Sequence, residues 1–313
     1  IIKKNQGCKK INKNKILKLL KNEIYYKTNL SNKIKIYPIL VGNVYNNALY
    51  TNIQKPIIET INVNKENFLK EYNLKKNQIL RLNISKNFNI DNLIINSSNQ
   101  NNSALILNLN GNMINSLEFN QNANLDKTFN TNINKKNITG CLNIYDSNFI
   151  INQININGSK CEDGLNIVRS TGIIKSLNVK DALSDGVDFD YSDIQVDSSN
   201  FFNINGDCID LSFGKYKIKN SIINRCGDKG ISAGENSIVS VDNTIINNSS
   251  IGVASKDNSR VTISNMTLNN VKNCLAAYNK KPEFGGGHIK YTKLQCTKFD
   301  VRTAVDNVSV IHD

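Results

Sequence analysis

Asp185, Asp188, Asp190 and Asp193 fall within ten residues, SDGVDFDYSD (184–193), of a 313-residue chain whose formal net charge is +13. Val187 and Phe189 alternate with them at the spacing of a buried strand face, so Asp188 points outward. Carboxylates packed this closely can hold a hard cation through oxygen or divide into a general acid and a general base. They can also be neutralised by lysines and do no chemistry at all. The pattern is not isolated. Asp163 precedes Asp185 by 22 residues and Asp207 follows it by 22; Asp210 follows Asp188 by 22; Lys229 follows Asp207 by 22.

Something must place residues 22 apart beside one another, and the chain repeats with that period. CEDGLNI (161–167), SDGVDFD (184–190), GDCIDLS (206–212), DKGISAG (228–234), SIGVASK (250–256) and NCLAAYN (273–279) align without gaps. A small residue recurs at Gly164, Gly186, Cys208, Gly230, Gly252 and Cys274, followed by Leu165, Val187, Ile209, Ile231, Val253 and Leu275. Each repeat carries a second apolar segment, such as IKNSIIN (218–224) and VDNTIIN (241–247). Asn220, Asn243 and Asn265 stand at matching places and could bond amide to amide. Short strands with turns too tight for helices, at a 22-residue period, specify an all-β, single-stranded, right-handed parallel β-helix. A leucine-rich repeat would need a regular LxxLxL pattern, and a sandwich would not hold its period to the residue.

Stacked parallel strands lie about 4.8 Å apart, so the acids become two ladders: Asp163, Asp185, Asp207 and Lys229, and beside it Asn166, Asp188, Asp210 and Ser232. Two carboxylates about 5 Å apart repel by roughly 3 kcal/mol at an effective dielectric near 20. A cation, a retained proton or a lysine must offset that. Asp185, Asp188, Asp207 and Asp210 are the candidate metal ligands, with calcium as the candidate ion. Lys229, Arg225, Lys256 and Arg260 are candidate countercharges. The bland alternative is that Asp and Gly merely suit the bend and solvent screens the charge.

Beyond the repeats the expected boundaries are a basic N-terminal segment (1–78), the β-helix (79–300) and a C-terminal tail (301–313). Residues 1–80 hold 16 Lys and 4 Glu, whereas 161–235 hold 8 basic and 12 acidic residues. The basic character is therefore local, and no nucleic-acid-binding motif accompanies it. Ile16, Leu20 and Ile24 share one face of a helix over 13–26, expected to cap the open end of the solenoid rather than to lie on a membrane surface. KENFLKEY (65–72) suggests another short helix. Residues 120–139 and NKKPEFGGG (279–287) read as insertions. The seven cysteines lack paired CxxC spacing, which argues against a zinc ribbon; their pairing is left open. No apolar run is long enough for a membrane span.

SDGVDF, GDCIDLS and CGDKGISAG resemble the pectate-lyase and polygalacturonase superfamily of right-handed β-helices. EDGLNI, SDGVDFDYS, GDKGISAGENS and IGVASKDNS resemble, more closely, the β-helix modules that accompany spore-coat-H-type kinase-like domains in some bacterial proteins. The resemblance covers about residues 140–280. It implies a site on the acidic face, with Asp185, Asp207, Asp228, Lys229 and Arg260 as candidate catalytic residues. Asp185 matches an acid of the hydrolase motifs, but Gly206-Asp207 stands where a carboxylate pair is expected, Gly227-Asp228 replaces Gly-His, and Arg260-Val261-Thr262 keeps only the Arg. A lyase would instead use a cation and a Lys or Arg base. The resulting expectation is an extracellular or cell-surface protein that binds, and as hydrolase or lyase cleaves, a polysaccharide along an acidic groove. The alternative is a non-catalytic structural or accessory solenoid, of surface, coat or adhesin type.

Overall fold

The computed structural model describes residues 57–98, 103–121 and 138–313, together with four short backbone strands of the N-terminal segment. The chain divides into two units, Ile1–Lys55 and Pro56–Asp313. In the first, Ile2–Lys3 pairs antiparallel with Cys8–Lys9, and Ile24–Lys27 pairs antiparallel with Lys33–Ile36. The helical cap expected over 13–26 is not supported. Its end, from Ile24, is strand, as suits the run Ile-Tyr-Tyr, and residues 13–23 lie outside the described residues. The helix suggested at 65–72 is also corrected. Asn64 Oδ1 accepts the Glu66 and Asn67 N–H groups at 2.9 and 3.1 Å, and Asn67 Oδ1 accepts the Asn64 N–H at 2.7 Å. These side chains offer the backbone a turn in place of a helix, and the chain then enters the strand Glu71–Leu74.

In the second unit every strand pair is parallel, and the chain winds as a β-solenoid. Gly140–Tyr145, Asp163–Val168, Asp185–Asp190 and Ile209–Ser212 stack in order. The stack continues into the ends of Ser221–Gly234, Ile238–Lys256 and Arg260–Tyr278, longer strands that carry one ladder round the corner into the next. Leu165, Val187, Ile209, Ile231, Val253 and Leu275 are successive register partners, as the period requires. All are at most 1% exposed. Full burial of one such side chain is worth about 1.5–3 kcal/mol, and the stack repeats it coil after coil.

The solenoid is longer than the repeats suggest. Ile57–Val63 already pairs with Gln78–Ile84, ahead of residue 79. Residues 301–313 are no separate tail: His288–Val305 lies on Arg260–Tyr278, and Val310–His312 lies on His288–Lys290. The loop 279–287 lengthens the step between rungs, so that Arg260 pairs with His288.

Two devices hold the coils in phase. The small-residue column leaves no room for more: a Cβ on Gly164 or Gly186 would sit 2.6 Å from the next member's carbonyl oxygen. On the outer turns, Asn265 donates to Asn243 Oδ1 at 3.1 Å and Asn243 donates to Asn220 Oδ1 at 2.8 Å. Cysteine adds a third. Cys141–Cys161, Cys208–Cys226 and Cys274–Cys296 are disulfides, each bridging adjoining coils. Cys208 and Cys274 occupy the small-residue column itself.

Candidate functional site: an acidic groove

Three outward columns make the site. The middle one runs Asn143, Asn166, Asp188, Asp210, Ser232 and Ala254. Asn166 and Ser232 are at most 1% exposed, while Asp188 and Asp210 are half-buried, so this column is the floor of a groove. On one side stand Asp163, Asp185, Asp207 and Lys229. They are linked rung to rung: the Asp207 N–H donates to Asp185 Oδ1 at 2.8 Å, and the Lys229 N–H donates to Asp207 Oδ1 at 3.0 Å. On the other side run Tyr145, Val168, Asp190 and Ser212.

Burial and mutual repulsion raise the pKa values of these acids. Burial pushes Asp163 well above the usual carboxylate range, against a lowering hydrogen bond with Thr139 and with Asp185 adding repulsion. Asp185 is raised to about 7, first by burial and then by the charge of Asp207. Asp188 is raised well above its ordinary value by burial, then by Asp163, Asp190 and Asp210. Asp190 is raised to about 6 by burial, Asp210 and Glu235. Burial also raises Asp207, although Lys229 offsets part of it.

Lysines supply the countercharge at one end. Lys229 Nζ lies 3.2 Å from Asp207 Oδ1 and pairs with Asp228 as well. Burial would lower its pKa, but these two carboxylates hold it above the ordinary lysine value. Lys256 Nζ is 3.7 Å from Asp210 Oδ1. Lys281 pairs with Glu235, whose Oε2 accepts the Ser212 hydroxyl at 2.5 Å. Three buried polar atoms of the groove have no partner: Asp163 Oδ2, Asn166 Oδ1 and Ser232 Oγ.

Of the residues expected to act together, the structure gathers Asp185, Asp188, Asp207, Asp210, Asp228 and Lys229. Arg260 is elsewhere. It belongs to the column of Asp193, Lys215, Ile238 and His288 on the face after the turn, one corner away. Arg225 is no countercharge either; its guanidinium lies over the Phe202 ring at 5.3 Å. Among the described residues no group of three or more carboxylate, imidazole or thiol side chains is placed to hold one metal ion. The calcium expected at Asp185, Asp188, Asp207 and Asp210 gains no support from this arrangement. A side chain at 206 would have to displace the Asp185 carboxyl: a Cβ on Gly206 would sit 2.0 Å from Asp185 Oδ1.

Sequence reasoning missed the rim. Tyr191 follows Asp190 directly, and its ring stacks on Phe213 with centroids 4.5 Å apart and planes 5° from parallel. Phe284, from the loop 279–287, meets Phe213 edge-on at 6.0 Å. Tyr191 and Phe213 both take φ of +50°, a left-handed conformation that bulky residues rarely adopt. The turns of the next two coils use Asn236 and Asn258 there instead. The 22-residue spacing of Tyr191 and Phe213 was the signal that could have found them.

No family model and no curated protein matches the chain. Among the described residues no helix is long and apolar enough to cross a membrane. Among solved structures, the chain is similar to the catalytic domain of a GH87 alpha-1,3-glucanase in complex with tetrasaccharides, at 8% identity and a TM-score of 0.34. That match covers 82% of this chain and 64% of the other, so the chain spans less than two thirds of its length. A second such complex with tetrasaccharides gives 10% identity and a TM-score of 0.34 over 90% of this chain and 70% of the other. The same catalytic domain in complex with nigerose gives 9% and 0.29 over the same shares.

Proposed function

We propose that the protein binds a polysaccharide along this groove. The carrying observation is the set of half-buried carboxyls along the groove, Asp185, Asp188, Asp190 and Asp210, of which Asp185 is raised to about 7 and Asp190 to about 6, so that near neutral pH both protonated and ionised forms are present. Protonated carboxyls donate and ionised ones accept, which is what a ligand rich in hydroxyl groups can satisfy. Three disulfides support an oxidising, extracellular or cell-surface location.

Hydrolytic cleavage is a second reading, favoured by one observation. Asp185, with its carboxyl raised to about 7, stands one rung from Asp207, whose charge Lys229 offsets. Such a pair can divide into an acid for the leaving oxygen and a base or nucleophile. Lyase chemistry has no comparable support, because a lysine held protonated by Asp207 and Asp228 is a poor base. The test is a polysaccharide panel read for binding by affinity electrophoresis, for new reducing ends and for unsaturated-uronate absorbance, with and without calcium. Retardation by at least one polysaccharide is expected, and lost in Asp188→Asn with Asp210→Asn. No binding across the panel overturns the proposal.

A further inference from the structure

We infer that Tyr191 is a stacking platform for one pyranose ring of a neutral glycan; this rests on the polysaccharide reading above and names its substrate class. The platform is built rather than incidental. Tyr191 is 57% exposed, yet its ring is fixed face to face on Phe213, and Phe213 is held in turn by Phe284. The loop that carries Phe284 is anchored: Asp257 Oδ1 accepts the Lys280 and Lys281 N–H groups, both at 2.7 Å, and the Asn279 amide donates to the Gly285 carbonyl at 3.0 Å. Lys281 of the same loop pairs with Glu235 at the groove edge. A flat ring buttressed by Phe213, and carried one residue past the groove carboxyl of Asp190, suits a sugar, which has an apolar C–H face and a rim of hydroxyls. Both aromatic residues occupy a turn position whose left-handed backbone recurs at Asp146, Arg169, Asn236 and Asn258, and which Asn would adopt more readily.

Charge decides between neutral and anionic glycans. Asp163, Asp185, Asp188, Asp190, Asp207 and Asp210 face the groove, and each of its lysines is already paired: Lys229 with Asp207 and Asp228, Lys256 with Asp210, Lys281 with Glu235. A uronate carboxylate would find no unpaired lysine in the groove among the described residues, and would be repelled by the acids that are ionised at neutral pH, Asp190 with its pKa of about 6 among them. A neutral pyranose meets neither obstacle.

The experiment measures affinity electrophoresis of the full chain and of Tyr191→Ala, Tyr191→Phe and Tyr191→Trp in dextran, soluble xylan and mixed-linkage β-glucan, and in polygalacturonate and alginate. Melting temperature is recorded for each variant. At least one neutral probe should bind, Tyr191→Ala should weaken it about tenfold, and Phe and Trp should stay within about threefold of the native chain. The melting temperature of Tyr191→Ala should be little changed, since the residue is exposed. Equal binding by Tyr191→Ala overturns the platform while the polysaccharide reading stands. So does a fall in melting temperature with affinity intact, which marks a purely structural stack. Preferential binding of the anionic probes overturns the neutral-glycan assignment alone. No binding to any probe removes the underlying reading and this inference with it.

Discussion

Asp188 sits between Asn166 below and Asp210 above, and its carboxyl is held far from its ordinary value by burial and by the acids around it. A raised carboxyl pKa means that the folded state binds more protons than the unfolded chain. Stability then falls as pH rises from about 4, the unfolded value, through the folded values, which are about 6 for Asp190 and about 7 for Asp185. The melting temperature should therefore drop between pH 5 and pH 8. Asp188→Asn should flatten that drop and raise the pH 8 value by roughly 2 °C or more; an unchanged pH profile would refute the assignment. Asn is the natural occupant one rung below, so the substitution fits. The acids themselves were legible because the period alone stacks them. Arg260 was misplaced because a motif was carried over where the period, counting 22 back to Ile238, points to another column. Lys281 and Glu235 were invisible because their pairing depends on how an irregular loop folds back, which no repeat encodes. Tyr191 and Phe213 were overlooked for a similar reason, since their orientation depends on a positive φ that side-chain alternation does not report.

At the scale of the strand and its turns, the small-residue column was read correctly, and the structure supplies its cause. A Cβ on Gly230 would lie 2.7 Å from Ile246 Cγ2 and 2.8 Å from the Gly252 carbonyl oxygen. The first contact is to a packed core side chain and the second to backbone, so neither yields cheaply. Gly230→Ala should cost about 1–3 kcal/mol, measured by denaturant unfolding, and Gly230→Val should cost more. A variant as stable as the native chain would mean that the coils are less tightly stacked than the register shows. Periodicity also explains why the strands between 140 and 278 were legible while the first coil was not. Ile57 and Ile58 are 67% and 52% exposed, so Ile57–Val63 lacks the buried alternation that marks a strand in sequence. The helical face of Ile16, Leu20 and Ile24 was equally compatible with strand at its end, where Tyr25 and Tyr26 follow.

For the molecule as a whole, the three disulfides have a mechanical consequence. A solenoid pulled from its ends should come apart one winding at a time, each 22-residue winding paying out about 75 Å of thread. Cys141–Cys161, Cys208–Cys226 and Cys274–Cys296 span 20, 18 and 22 residues, so each keeps close to a full winding out of the extension. In single-molecule stretching, the oxidised protein should end roughly 200 Å shorter than the reduced one, with the missing length withdrawn near three separate windings. Equal final lengths in the two redox states would show that the bridges do not form. If they do form, the windings held back are those inside the three bridges, whereas residues 162–207, which carry Asp163, Asp185, Asp188, Asp190 and Asp207, lie between the first two bridges and inside neither, so a load on the thread draws out most of the acidic groove while the windings on either side of it stay looped.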